Sequence, residues 1–409
     1  MNHTIRKVIV MYGSSAVAII LGFLISIFNS RVLGPEKFGD YKFIETVARL
    51  IASVVSVGLF ISLTRLVALT DDEEKTKKYI GLFTTIFILV SVAGILLFVL
   101  FSFIEPYFFE HNLGSTMRRY FFILMAIVGN LAMLEILKGM HKIYTLALLS
   151  VVPFLLYLLL GNLFAQFLTF DVEFVLLLYY GLLLVVQIVI ILWLKPDFKF
   201  GNSILRELKK ENKANGRPIY FGSLAGVATA HIAGMSISYF LDNTQVGFYM
   251  LALTICTPLL VVPSVLGTTF FKQFVNMKEI PKKVFLFTIA FTGVALIIFY
   301  SLIDYVIVLF YTQSFMPVAS IAKLLIIGFI FHGFGDLINR FLGAKGKGKL
   351  LRNAAFLVGI VNIVGYTIFI KLFGVDGAII TKILASCLYL SVMLFYYNNF
   401  IKKTQYVQR

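Results

Sequence analysis

Residues 80–103 read IGLFTTIFILVSVAGILLFVLFSF, with no charged side chain among them. At a helical rise of about 1.5 Å per residue such a segment is long enough to cross a ~30 Å hydrocarbon core. The run Asp71-Asp72-Glu73-Glu74-Lys75 bounds it on one side. The same pattern recurs along the chain. Apolar stretches of roughly 18–24 residues alternate with short polar loops, and they predict helices at 9–29, 43–68, 80–103, 119–138, 145–167, 174–194, 218–241, 249–271, 284–303, 320–341, 353–373 and 377–398. Pro153, Pro258 and Pro263 fall inside these segments, which predicts kinks there. The fold class is therefore all-α and integral to the membrane, with about twelve spans.

Composition agrees. The 409 residues are 60% hydrophobic and 14% charged, a balance foreign to soluble domains. The net charge of +16 is concentrated in loops on one side, so it reads as topology. No zinc-finger or RNA-binding signature accompanies it, and no nucleic-acid partner is expected. Cys256 and Cys387 lie in apolar stretches as small hydrophobes, with neither a disulfide nor a metal site predicted. Arg6 and Lys7 precede an apolar run from Met11 to Phe28, which is too long for a signal-peptide core and should stay as helix 1.

The orientation follows the basic residues. The loops after helices 6, 8 and 10 hold Lys195, Lys199, Arg206, Lys209, Lys210, Lys213 and Arg217; Lys272, Lys278, Lys282 and Lys283; and Arg340, Lys345, Lys347, Lys349 and Arg352. The tail adds Lys402, Lys403 and Arg409. Loops after helices 5, 7 and 9 hold none, while Arg31, Lys37, Lys42, Arg118 and Arg119 are exceptions on the outer side. Both termini are predicted inside. The long loop at 195–217, with a short surface helix at Arg206–Glu211, divides six helices from six. The expected organisation is an N-terminal lobe at 1–200, a cytoplasmic linker at 201–217 and a C-terminal lobe at 218–409. Phe38-Gly39-Asp40-Tyr41 matches Val246-Gly247-Phe248-Tyr249, and Gly139 matches Gly343, so the lobes read as parallel repeats around a central cavity. Gly222, Gly226, Ala230 and Gly234 place small residues every fourth position, which predicts close packing of helix 7.

Ionisable groups inside the bilayer cost roughly 2.5–3.5 kcal/mol each on insertion scales, so they mark cavities or partners. Glu45 and Arg49 stand four apart on helix 2, with Ser53 and Ser56 beyond them. They form either a self-contained ion pair or a cavity cation oriented by its carboxylate. His332, Asp336 and Asn339 make a polar stripe on helix 10 ending at Gly343, either water-lined or bonded to another helix. Lys323 lies near the outer end of that helix on another face, and Lys382 shares a face of helix 12 with Ser386 and Tyr389. His231 shares a face with Ser238 and Asp242, as a packing residue or a proton carrier. Arg65 is expected to snorkel, and Glu135 to pair with Lys138. There is no phosphate-binding loop for ATP, no zinc motif and no outer loop large enough for a catalytic domain. An enzyme is not expected.

The segment Ser30-Arg31-Val32-Leu33-Gly34-Pro35-Glu36-Lys37-Phe38-Gly39-Asp40-Tyr41 resembles the first outer loop of bacterial polysaccharide flippases, whose pattern is close to R-x-L-G-P-x-x-F-G-x-Y. Gly58 with Thr64-Arg65, Gly139, and Phe373-Gly374-Val375-Asp376-Gly377-Ala378 add to the likeness. The family is that of the Wzx-type O-antigen and exopolysaccharide flippases, in the superfamily that also holds multidrug extrusion transporters and lipid II flippases. The resemblance implies translocation of an undecaprenyl-pyrophosphate-linked oligosaccharide across the bacterial inner membrane by alternating access. It implies no cofactor, leaves H⁺ or Na⁺ as a coupling ion, and suggests a polysaccharide polymerase and a chain-length regulator as partners. A cationic cavity would be supplied by Arg49, Lys323 and Lys382, with Glu45, His332, Asp336, Asn339 and His231 as polar or coupling candidates. The alternatives are a cation-coupled multidrug or metabolite exporter and a membrane enzyme of glycan assembly. The first is disfavoured because no carboxylate lies between Met11 and Asn29.

Overall fold

Helices follow one another with no strand among the described residues, which are residues 3–406 of a computed structural model. The side chains of Arg6, Lys7, Ala230, Lys272 and Lys403, and all of Arg409, lie outside the described residues. The first compact unit is Met1–Leu224 and the second Ala225–Arg409. The first contains α1 (His3–Val55), α2 (Leu59–Ala68), α3 (Glu73–Phe108), α4 (Gly114–Arg119), α5 (Phe122–Gly139), α6 (Ile143–Phe164), α7 (Val172–Leu194) and α8 (Asn202–Glu211). The unit boundary falls inside α9 (Arg217–Phe240). There follow α10 (Asn243–Thr269), α11 (Phe271–Phe274), α12 (Lys282–Val306), α13 (Met316–Ala344), α14 (Gly348–Phe373) and α15 (Val375–Tyr406).

Nine helices among the described residues are long and apolar enough to cross a membrane; the first of them, α1, bends at Gly34 into two segments, and α9 and α10, at 24 and 27 residues, bring the crossings to twelve. The protein is a multi-pass membrane protein with six crossings for each unit.

The Gly34-Pro35 motif forms a corner within α1, so no outer loop separates the first two crossings. Gly34 has φ 71°, a left-handed conformation that side chains resist, and Pro35 suits the first turn of the helix it opens. The second crossing consequently begins well before residue 43. It is broken instead at Ser56–Gly58, where Val57 and Gly58 have φ 43° and 72°. A Cβ on Gly58 would lie 2.4 Å from the Gly216 carbonyl oxygen, so the break seats another stretch of backbone. Helix α3 begins at Glu73 because Asp72 caps it, accepting the N–H groups of Glu74 (2.9 Å) and Lys75 (3.3 Å). The acidic run is thus its first turn, where carboxylates favour the helix dipole. Pro153, Pro258 and Pro263 lie inside continuous helices.

The same neighbours recur in both units. In the first, α1 packs on α6, α2 on α5, α5 on α7 and α6 on α7. In the second, α10 packs on α13, α13 on α15 and α14 on α15, and α14 meets α9 through Asn362 and Thr229 (3.1 Å). Matching order and matching partners make the two units repeats of one arrangement.

Residues 195–217 are docked on the first unit. Asp197 N donates to the Lys77 carbonyl (3.0 Å), and Gly81 makes room for the Asp197 carbonyl. The surface helix α8 buries Ile204 and Leu208, while Glu207 meets Lys75 (3.1 Å) and accepts the Tyr79 hydroxyl. Arg65 pairs with Glu211 (3.4 Å), and Ser62 Oγ donates to Asn212 Oδ1 (3.2 Å). In α9 the stripe of small residues is described at Gly226, where a Cβ would meet nothing within 4 Å. The close approach lies on the neighbouring face, where a Cβ on Gly359 of α14 would lie 2.6 Å from the Ala225 carbonyl oxygen. The small residue that admits the backbone belongs to the partner helix.

Candidate functional site

In the first unit, the segment after Gly34 carries Lys42, Glu45 and Arg49 along one helical face. Glu45 Oε2 accepts Lys42 Nζ (2.8 Å), and Glu45 Oε1 accepts Arg49 Nε (3.0 Å) and Nη2 (2.7 Å). Two cations on one carboxylate leave one net positive charge. The Lys42 ammonium also lies 5.6 Å from the ring centre of Phe38 and 5.0 Å from that of Tyr41. Tyr179 and Tyr180 of α7 lie close enough to Arg49 to feel its charge. Tyr179 meets Tyr157 of α6 edge to face at 5.2 Å, and Tyr157 donates to Asn29 Oδ1 (2.5 Å). The Glu45 side chain is only 11% exposed, whereas Arg49 keeps 40% of its side chain accessible. Glu45 and Arg49 bond each other, as one of the two readings expected, and part of the guanidinium side chain stays accessible. Ser53 and Ser56 bond back to the carbonyls of Arg49 (2.8 Å) and Ala52 (2.7 Å) and do not extend the cluster.

The second unit builds its cluster from different helices. His332 of α13 stacks on Tyr389 of α15 with ring centres 4.7 Å apart. Asn339 Nδ2 donates to the Tyr389 hydroxyl (2.8 Å), and that hydroxyl donates to Asp336 Oδ1 (3.5 Å). Asp336 lies 4.0 Å from Arg340. The polar stripe therefore binds helix to helix through one tyrosine. Lys382 stands about two turns inside α15, with Nζ 5.2 Å from the Phe329 ring centre. His332 and the buried Cys256 are its electrostatic neighbours, and among the described residues it has no ion pair or hydrogen-bond partner. Cys256 Sγ approaches the Ala322 carbonyl (3.5 Å), as a buried thiol does.

Other expected residues stand apart from these clusters. Lys323 forms an ion pair with Asp304 of α12 (2.6 Å), while its carbonyl accepts the Tyr300 hydroxyl. His231 is half-buried in α9. Its face-mates serve the following helix: Ser238 Oγ donates to Asn243 Oδ1 (2.6 Å), and Asp242 Oδ1 accepts Gln245 N (2.8 Å). Glu135 pairs with Lys138 (3.0 Å). Two of the basic residues that broke the charge rule are bound locally, Arg119 to Glu173 (2.6 Å) and Arg118 to the Ser102 carbonyl (3.1 Å).

Sequence reasoning missed the tyrosines of the first cluster. Tyr179-Tyr180 in the middle of an otherwise apolar helix is the signal that could have found them. The repeat adds a second one. Tyr41 and Tyr249 occupy matching motifs, and each lies near a tyrosine of the matching later helix, Tyr157 on α6 and Tyr366 on α14.

The fold has solved relatives. The lipid II flippase MurJ in an inward closed conformation superposes with a TM-score of 0.76 at 16% identity, over 95% of this chain and 87% of that one. A multidrug resistance MATE family transporter of the MOP superfamily, inward-facing, gives 0.74 at 15% identity over 96% of both chains. An outward-facing MATE family transporter of the same superfamily gives 0.63 at 16% identity over 98% and 96%. A search of curated protein sequences returns no match. The family model described as "Polysaccharide biosynthesis protein" matches residues 4–271. With a twelve-crossing fold shared with MurJ and MATE transporters and a family match over most of its length, the chain belongs to the polysaccharide biosynthesis protein family.

Proposed function

We propose that this protein is a flippase that carries undecaprenyl-pyrophosphate-linked oligosaccharide repeat units from the inner to the outer leaflet of a bacterial cytoplasmic membrane. The observation that supports this reading is excess positive charge in each unit: the net positive Lys42–Glu45–Arg49 cluster and Lys382, which has no ion pair among the described residues. A half-buried cation within a membrane span is costly, by roughly 2.5–3.5 kcal/mol on insertion scales. An anionic substrate supplies the missing partner. The tyrosines around Arg49 add hydroxyl groups for sugar and phosphate oxygens and flat rings for the apolar faces of sugars.

Energetics favour the same direction. Desolvating a pyrophosphate in hydrocarbon costs tens of kcal/mol in an idealised medium, so the head needs a polar route while the polyprenyl tail stays in lipid. Each negative charge moving outward through a 100 mV inside-negative potential gains about 2.3 kcal/mol. In this reading Arg49 and Lys382 bind the phosphates, and Lys323, already held by Asp304, contributes less. Glu45 is committed to two cations, which leaves Asp336, next to His332 and Asn339, as the group to couple H⁺ or Na⁺. The protein is not an enzyme in this scheme, both termini face the cytoplasm, and a polymerase and chain-length regulator act on the product outside.

Deleting the gene and complementing it with wild type, Arg49→Ala or Lys382→Ala tests the proposal. Loss of surface glycan with lipid-linked repeat units retained in the inner leaflet, restored by wild type and not by the variants, is the expected result. Normal surface glycan after deletion would point to drug or metabolite export. An intermediate that stops short of a complete unit would point to an assembly enzyme.

A further inference from the structure

The second unit has an open cleft that its counterpart in the first unit covers. Helices α12 and α15 both pack beside α13 at its C-terminal end, and between them lies a cleft of about 380 Å³. Phe285, Leu286, Ile338 and Leu394 line it, with Lys282 and Tyr397 among its polar lining groups. In the first unit Lys195 (φ 52°) ends α7 and turns the chain aside, and Asp197 is laid across α3 at Lys77 and Gly81. In the second unit α15 runs on as a helix to Tyr406, and among the described residues it does not turn aside as α7 does.

The contents of the cleft are constrained by size and charge. Its walls are mainly the apolar side chains of Phe285, Leu286, Ile338 and Leu394, and its volume suits a single hydrocarbon chain. This end of the unit is strongly basic. Lys282, Lys283 and Lys402 are exposed there, with Lys345, Lys347, Lys349 and Arg352 on the neighbouring loop, and Glu279 is the one carboxylate among the described residues that line the cleft. Lysines at a membrane surface attract anionic headgroups. Tyr397 Oη accepts the Ile280 N–H (3.0 Å) and keeps its own proton for donation.

We propose that this cleft is a binding site for one anionic phospholipid, its acyl chain along Phe285, Leu286 and Leu394 and its phosphate between Lys282 and the Tyr397 hydroxyl. The site is separate from the cationic clusters and does not rest on the flippase reading. The lipid takes the place that residues 197–199 occupy in the first unit, joining α12 to α15 at the membrane surface.

Native mass spectrometry of the full-length protein, supplied with equal amounts of phosphatidylglycerol and phosphatidylcholine, tests this. One phosphatidylglycerol per chain should be retained in preference. Lys282→Glu should weaken that preference by at least about fivefold, the worth of one surface lysine, and Lys282→Arg should keep it. Leu394→Trp, which fills the cleft from a partly exposed position, should abolish retention; Leu286, at 64% exposure, gives a second filling variant should the first fail to fold. Equal retention of both lipids, or unchanged retention in the folded tryptophan variants, would overturn the proposal. So would displacement of phosphatidylglycerol by equimolar undecaprenyl phosphate, which would make the cleft a site for the polyprenyl tail.

Discussion

Glu45 takes a cation on each of its carboxylate oxygens, and the cluster holds together only while that carboxylate is present. Glu45→Gln strands Lys42 and Arg49 beside each other, at a cost below the about 3–5 kcal/mol of a fully buried pair because Arg49 is partly exposed. The variant should melt at a clearly lower temperature in detergent, whereas Arg49→Lys should melt close to wild type while losing the planar two-point contact. Tyr157 makes a second residue-scale test. Its hydroxyl bonds Asn29 in a fully buried setting, and Tyr157→Phe leaves that amide oxygen unsatisfied, at about 1–3 kcal/mol. A loss of that size in a denaturation curve is expected; no loss would mean that Asn29 finds another donor. The pair Glu45 and Arg49 was legible in the sequence from its spacing. Tyr157 and Tyr179 were not, because nothing in the order of residues says that the helices carrying them lie beside α1.

At the scale of elements, α8 is a clasp whose strength depends on pH. The hydrogen bond from Tyr79, and then Lys75, hold the Glu207 carboxyl below the usual carboxylate range. A carboxyl with a lowered folded-state pKa contributes stability above its unfolded value, about 4.3, and loses that contribution as pH falls through the folded value. Amide exchange in α8, corrected for its intrinsic pH dependence, should therefore lose protection below about pH 4. Glu207→Gln should show weaker protection at neutral pH and no further acid step. Glycine contacts give a sharper test. A Cβ on Gly359 would press on the Ala225 carbonyl at 2.6 Å, and backbone cannot swing aside as a side chain can. Gly359→Ala should destabilise by about 1–3 kcal/mol through overpacking, while Gly226→Ala, facing open space, should be tolerated. The small-residue stripe in α9 showed in the sequence, but its direction did not, since four-residue spacing marks a face without saying what stands opposite.

For the molecule as a whole, the charge bias of the loops predicts an orientation with both termini inside. Single cysteines placed at the exposed Lys209, Lys283 and Lys349 should be blocked from membrane-impermeant thiol reagents in intact cells, and one at the exposed Ser314 should react. Arg118 and Arg119, which weaken the bias, have local partners in Ser102 and Glu173. The amino-acid order by itself determined that this protein lives in a membrane, that it crosses twelve times and that it repeats, because hydrophobic run length and loop charge are local quantities read along the chain. It also marked the family through the Gly34-Pro35 corner, although the corner proved tighter than a loop. Only the tertiary structure decided which polar groups meet. Tyr389 gathers His332, Asp336 and Asn339 from another helix, Lys323 turns to Asp304, and Lys382 stands over Phe329 without an anion. Each of these depends on the rotation of one helix about its axis against a neighbour far away in sequence, and packing between helices sets that rotation.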